Sequence, residues 1–209
     1  GQYTFNVGGS ASYQVRVVNS SVISSRSGYN ASLVGVQTYR TDASSGSVIA
    51  VTDHVGGETP GEVDAAANSG SQSYSSLADA SGYEINSVTS ISVSSADISG
   101  LDFGFNFNTI VNTNDAGHGS LRQFILNSNL LANTNLEIEN QTTGKDVSIF
   151  MISDGHAHAG LNAGYANLLT GIVGVDARAV FNLISSLPTI SGTNGADTII
   201  DGSTQTTFV

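Results

Sequence analysis

The sequence predicts a mainly β chain, an antiparallel β-sandwich followed by a helix-capped, β-helix-like second domain. Three observations predict it. Apolar and polar residues alternate at period two through much of the first half, and helical periodicity occurs in one stretch, just after residue 119. Charged residues make up only 11% of the 209, with polarity supplied by Gly, Ser, Thr and Asn, which suits short strands and many turns rather than amphipathic helices. The chain is 39% hydrophobic, enough at this length to bury a core.

The first domain spans residues 1–108. Tyr3, Phe5 and Val7 alternate with Thr4 and Asn6, and Tyr13, Val15 and Val17 alternate with Gln14 and Arg16. Residues 33–40, 48–52 and 85–93 add further β-rich runs, separated by turn-rich stretches at 24–29 and 56–82. In the last run Leu101, Phe103, Phe105 and Phe107 share one side, opposite Asp102, Gly104, Asn106 and Asn108, so the aromatics are expected to form a core wall with Phe105 at its centre. About six strands without intervening helices indicate the sandwich.

The second domain spans residues 109–209. The turn cluster of residues 112–119 runs into Ser120-Leu121-Arg122-Gln123, where a Ser at the N-cap and a Gln three residues on match a capping box. Leu121, Phe124, Ile125, Ser128 and Leu131 then fall at helical spacing, and the Asn-rich stretch near Asn133 ends the helix. Short β-rich runs follow at 147–152, 179–184, 187–190, 198–200 and 206–209, each closed by Gly, Asn or Asp. Such rungs suit a parallel β-helix whose open end the helix covers.

Residues 100–107 (Gly-Leu-Asp-Phe-Gly-Phe-Asn-Phe), the Val111-Asn112-Thr113-Asn114-Asp115 turn and the Gly119-Ser120-Leu121-Arg122-Gln123-Phe124-Ile125 segment resemble a junction of large modular bacterial surface proteins. There a prealbumin-like (B-type) β-sandwich gives way to a parallel β-helix opened by a Ser-Leu-Arg segment. Leu187-Pro188-Thr189-Ile190 and Thr198-Ile199-Ile200-Asp201-Gly202 are similar to the first rungs of that group. The resemblance implies a surface-exposed, modular, non-catalytic role. One subclass carries Cys where Gly119 stands here, and the isopeptide crosslink of some such sandwiches is excluded from the first domain because the only lysine is Lys145.

Composition narrows the chemistry. A net charge of -11 repels phosphate backbones and anionic lipid, so neither nucleic acid nor membrane insertion is expected. Cysteine is absent, which excludes disulfides and thiolate sites. An acidic, Lys-poor, cysteine-free composition fits an extracellular or cell-surface bacterial protein, and Gly1 in place of Met suggests a processed or trimmed N-terminus. His156 and His158, about 6 to 7 Å apart if extended, pair with Asp154 as the best transition-metal candidate, against the plainer reading of a polar loop. Asn112, Asn114 and Asp115, or Asp197 and Asp201, offer oxygens to calcium, although Asx turns explain the same residues. No metal, cofactor or catalytic residue is therefore assigned, calcium remaining the one candidate ion. Glu137 and Glu139 share a strand face but read as solvated. Arg122 is expected to bond loop carbonyls or Asp115. Asn19, Asn30 and Asn140 stand in glycosylation sequons.

The expected function is a structural or adhesive surface module that assembles with itself. The alternatives are a glycan-binding module using Tyr29, Tyr39, Tyr74 and Tyr83, or the N-terminal part of a polysaccharide-degrading β-helix enzyme. The expected assembly residues are Tyr3, Phe5 and Val7, as a strand donated to a neighbour, and Ile199, Phe208 and Val209 at an open last rung. That rung needs cover from a longer parent chain or another copy, and head-to-tail homopolymer filaments would result.

Overall fold

The computed structural model describes residues 3–41, 48–50, 55, 87–138, 141–157, 166–171, 176–191 and 197–205. In chain order the elements are β1 (Ala11–Val17), β2 (Val36–Thr41), β3 (Val48–Ala50), β4 (Ser87–Val93), β5 (Phe103–Asn106), β6 (Thr109–Ile110), α1 (Leu121–Leu130), β7 (Asp146–Val147), β8 (Ile149–Phe150) and β9 (Thr198–Ile199). Two 3-10 turns, Asn19–Ser21 and Gly202–Thr204, also occur among the described residues. The chain is mainly β.

Before residue 108 every strand pairing among the described residues is antiparallel. β1 lies against β4 from Ala11 opposite Val93 to Val17 opposite Ser87. β2 is the centre of a second sheet, with β3 on one side and β5 on the other, and the β2–β5 register shifts between Gln37 and Tyr39. After residue 108 the named strands pair in parallel among the described residues, β6 with β8 and β7 with β9, while two isolated bridges, Asp154 with Asn167 and Thr170 with Arg178, are antiparallel. Main-chain bonds from Ile149 N–H to Asn108 O and from Ser148 N–H to Ile199 O extend these contacts, so residues 108–111, 146–152 and 198–205 lie at three successive levels.

α1 begins where its cap chemistry dictates. Ser120 is extended, and its hydroxyl accepts from Gln123 N–H at 3.1 Å while donating to Gly117 O at 2.7 Å. The Gln123 side chain departs from the capping-box expectation. Its Nε2 donates to Ser32 O and to Asn127 Oδ1, which satisfies the amide on a buried helix face, while the Ser120 N–H goes to Gly117 O. The apolar stripe is buried as its spacing requires, with Phe124 and Ile125 in one cluster alongside Ile110, Phe150 and Ile152, and Leu131 in another alongside Leu33 and Phe107.

The residue 108/109 boundary is bridged by packing. Leu131 touches Leu33 and Phe107, Val111 clusters with Val36, and Asn127 Nδ2 donates to both Val34 O and Phe107 O at 2.9 Å.

Several expected strands do not form. Residues 3–7, 179–184 and 187–190 lie outside any strand; the last segment is tied to α1 by Asn129, which donates to Thr189 O and accepts from Ser191 N–H. Residues 136–138 are also irregular, so the shared face expected for Glu137 and Glu139 does not form at Glu137; Glu139 lies outside the described residues. The 206–209 run lies outside the described residues too.

Candidate functional site

Tyr3, Phe5 and Val7 are 47%, 66% and 43% exposed. Their segment carries no strand pairing among the described residues, and Gly8 and Gly9, which follow it, face open space. The Tyr3 and Phe5 rings pack at 5.5 Å, tilted by 51°, and the Tyr3 hydroxyl donates to Leu101 O, just before β5. Burial, then the nearby Asp102 charge, raises the Tyr3 pKa. At the opposite part of the chain Ile199 on β9 is 40% exposed, with Ile200 beside it. Phe208 and Val209 lie outside the described residues.

Phe103 and Phe105 depart from the expected core wall. Both are half-buried, and only Phe107 of that run is closed off from water. The reason is that β5 is an edge strand: β2 covers one side, and no described strand covers the other. Between β5 and the Val22–Arg26 segment lies an open groove of about 340 Å³, with Val22, Ile23, Phe103, Phe105, Phe107 and Leu136 among its walls. Its one trace in the sequence is the Val22-Ile23 pair between two Ser runs, which carries no period and so passes for a turn.

Arg26, on the wall of that groove, is committed elsewhere. Its guanidinium donates to Ala132 O at 2.8 Å, to Leu131 O at 3.3 Å, and to both carboxylate oxygens of Asp146 at 2.8 and 3.0 Å. Asp146 also accepts from Asn108 Nδ2 at 3.1 Å, and its side chain is 1% exposed. Burial pushes the Asp146 carboxyl pKa up against the pull of Arg26 and Asn108. The Ser24–Gly28 loop is thereby fixed to the end of α1 and the start of β7.

The candidate ion ligands serve the backbone. Asn112 Oδ1 accepts from Asn114 N–H, and Asn112 Nδ2 donates to His118 O. Asp115 is held below the usual carboxylate range by its hydrogen bond to Arg122, and the same guanidinium reaches Ser185 O and Ser186 O. Asp197 is lowered by Lys145, its ion-pair partner, and Asp201 by the Ser203 hydroxyl and N–H in an Asx turn. Asp154 is buried and accepts from His156 N–H at 2.9 Å, while the His156 ring is mostly exposed; His158 lies outside the described residues. No cluster of three His, Cys, Asp or Glu side chains suited to a metal occurs among the described residues.

Of the candidate sugar-platform tyrosines, Tyr29 is half-buried, edge-on to Phe107 at 6.4 Å, and its hydroxyl donates to Val22 O. Tyr39 falls in β2, and Tyr74 and Tyr83 lie outside the described residues. The Asn19 sequon is buried, its amide donating to Gly35 O, whereas Asn30 is exposed and Asn140 lies outside the described residues. Among the described residues no helix is long and apolar enough to cross a membrane.

No protein family, curated protein or solved structure matches the chain.

Proposed function

We propose that this chain is a non-catalytic, extracellular structural module of a bacterial surface protein, which associates with further copies of itself through main-chain pairing. Residues 1–108 are read as the β-sandwich and residues 109–209 as the capped start of a parallel β-helix. The antiparallel pairings of β1 to β5 support the first, and the parallel pairings of β6 with β8 and β7 with β9 support the second.

The observation that carries the assembly reading is the Tyr3–Val7 segment. It holds three large apolar side chains at alternate positions, exposed and without a strand partner among the described residues. A strand in that condition binds an open sheet edge through main-chain hydrogen bonds, with its alternate side chains setting register. Strands with a partner on one side alone among the described residues offer such an edge, and they include β5 beside β2 and the short β9 beside β7, where Ile199 and Ile200 are exposed. Deleting residues 1–7, or separately 205–209, and examining each protein by size-exclusion chromatography and electron microscopy tests the reading. Full-length protein is expected to form multimers and the first deletion to abolish them. Full-length protein that remains monomeric at high concentration refutes it.

A further inference from the structure

We propose that the groove between β5 and Val22–Arg26 is the seat for the Tyr3–Val7 segment of a second copy, which adds as a strand to the edge of β5 that no described strand covers. This rests on the self-assembly reading and names its acceptor.

Length favours this edge over β9. β5 presents four residues, Phe103–Asn106, against the two of β9, so a five-residue donor finds about twice the ladder of main-chain bonds there. The side chains match as well. Tyr3, Phe5 and Val7 lie on one side of an extended strand, and the groove supplies apolar walls from Val22, Ile23, Phe103 and Leu136, with Ile23 itself 76% exposed. Several polar side-chain atoms of the groove are already engaged: Arg26 by Asp146 and two carbonyls, Ser24 Oγ by Arg26 N–H, Asn106 Oδ1 by Asn108 N–H and Thr109 Oγ1, and Asn108 Nδ2 by Asp146 and Val147 O. This lining suits an apolar strand, which bonds through main chain, better than a saccharide, which needs several polar side-chain partners.

The distribution of charge favours a second copy as the occupant. All 17 acidic residues lie at or after Asp42, while Arg16, Arg26 and Arg40 lie before it, so residues 1–41 carry +3 and the remainder 3 − 17 = −14. Two copies of an acidic protein meet at least electrostatic cost where acids are missing. The donor segment lies wholly in that acid-free region, one groove wall does too, and no groove-lining residue is acidic. The resting position of the donor adjoins the seat, since Tyr3 already contacts Leu101 at the entrance to β5.

The absence of cysteine makes the test direct, because any introduced pair is the only pair. Phe5→Cys protein is mixed with Ile23→Cys protein, with Ile199→Cys protein, and with Ile184→Cys protein, whose side chain is 91% exposed and serves as a collision control. Phe5 and Ile23 are exposed enough for both variants to fold. After mild oxidation the Phe5–Ile23 pair is expected to give mixed disulfide dimers on the order of tenfold above the control, as docking raises the local thiol concentration. Efficient crosslinking of Phe5 with Ile199 but not with Ile23 overturns the groove and leaves the assembly reading standing. Control-level crosslinking in every mixture, with monomeric sizing, overturns both. A Phe5→Cys/Ile23→Cys double variant that closes only within single chains also overturns the proposal, since the seat is then filled by the chain's own segment.

Discussion

Replacing Gly28 with Ala tests how the Ser24–Gly28 loop holds the structure together. Gly28 has φ +90°, and a Cβ built there would sit 1.9 Å from Leu130 O and 3.0 Å from Leu130 C. Left-handed backbone costs an alanine about 1 to 2 kcal/mol. The clash adds more, because the obstacle is the main chain of the last turn of α1 rather than a side chain that can swing away. To relieve it the loop must retreat by more than an ångström. That motion breaks Ala132 N–H to Ser27 O, at 2.8 Å, and draws Arg26 from Asp146. A carboxylate that has lost its buried partner costs about 3 to 5 kcal/mol. The expected loss is therefore about 4 to 7 kcal/mol, roughly half the stability of an ordinary domain. Gly100→Ala is the control. Gly100 has φ +71° and open space for at least 4 Å around the position an added Cβ would take, so it isolates backbone strain at about 1 to 2 kcal/mol. Urea unfolding followed by circular dichroism measures both. Equal losses in the two variants would refute the reasoning, as would a Gly28→Ala protein whose Arg26→Met, Asp146→Asn background is destabilised just as much, since in that background no ion pair remains to break.

Three further outcomes are expected. Gly119→Ala places a Cβ 2.5 Å from Val111 Cγ2 at φ +67°, so strain plus overpacking should lower stability by about 2 to 4 kcal/mol in the same urea assay, and Cys there should do no better. His118 is buried, and burial holds its pKa down to about 4, below the ordinary 6.5. The unfolded chain then binds the proton first as pH falls, so stability present above pH 6.5 should decline by roughly 3 kcal/mol toward pH 4, and a His118→Gln protein should show a shallower decline. Phe105→Asp, which a fully buried core wall would make unfolding, should cost no more than about 2 kcal/mol on thermal melting, because the new carboxylate can reach water through the groove; it should nevertheless abolish any assembly through β5.

Local chemistry made parts of this architecture legible. Ser120 as N-cap, the Phe124-Ile125-Ser128-Leu131 stripe and the Arg122 bonds to Asp115 and loop carbonyls follow from spacing within a few residues, and all appear as the sequence predicts. Strands 11–17, 87–93 and 103–106 followed from period two for the same reason. What spacing does not encode is which strand edge stays uncovered. Phe103 and Phe105 alternate as a core wall would, yet their exposure depends on whether residues 22–26, some eighty positions away, close against them. Likewise Arg26 and Asp146 say little as single letters, and their pairing emerges only when α1 brings residues 131–132 to the loop. Gly119 is the reverse case: the departure from Cys looks like loss of a motif, but the left-handed φ and the nearby Val111 require the missing side chain. β6 was hidden because two residues are too few to carry a period.

Gln205 bears on how the chain reaches this structure. Its amide accepts from Ile152 N–H at 3.1 Å and donates to Ile152 O at 2.9 Å, and Thr204 Oγ1 accepts from Phe150 N–H at 3.0 Å, so side chains of a short turn satisfy the edge that β8 leaves open. Each level is thus completed by residues that come later in the chain and rests on residues that came earlier. β8 aligns on β6, β9 on β7, and the Gly202–Thr204 turn on β8. A polypeptide built this way can fold vectorially. As it leaves a ribosome, each new segment of the region after residue 108 finds its template already in place.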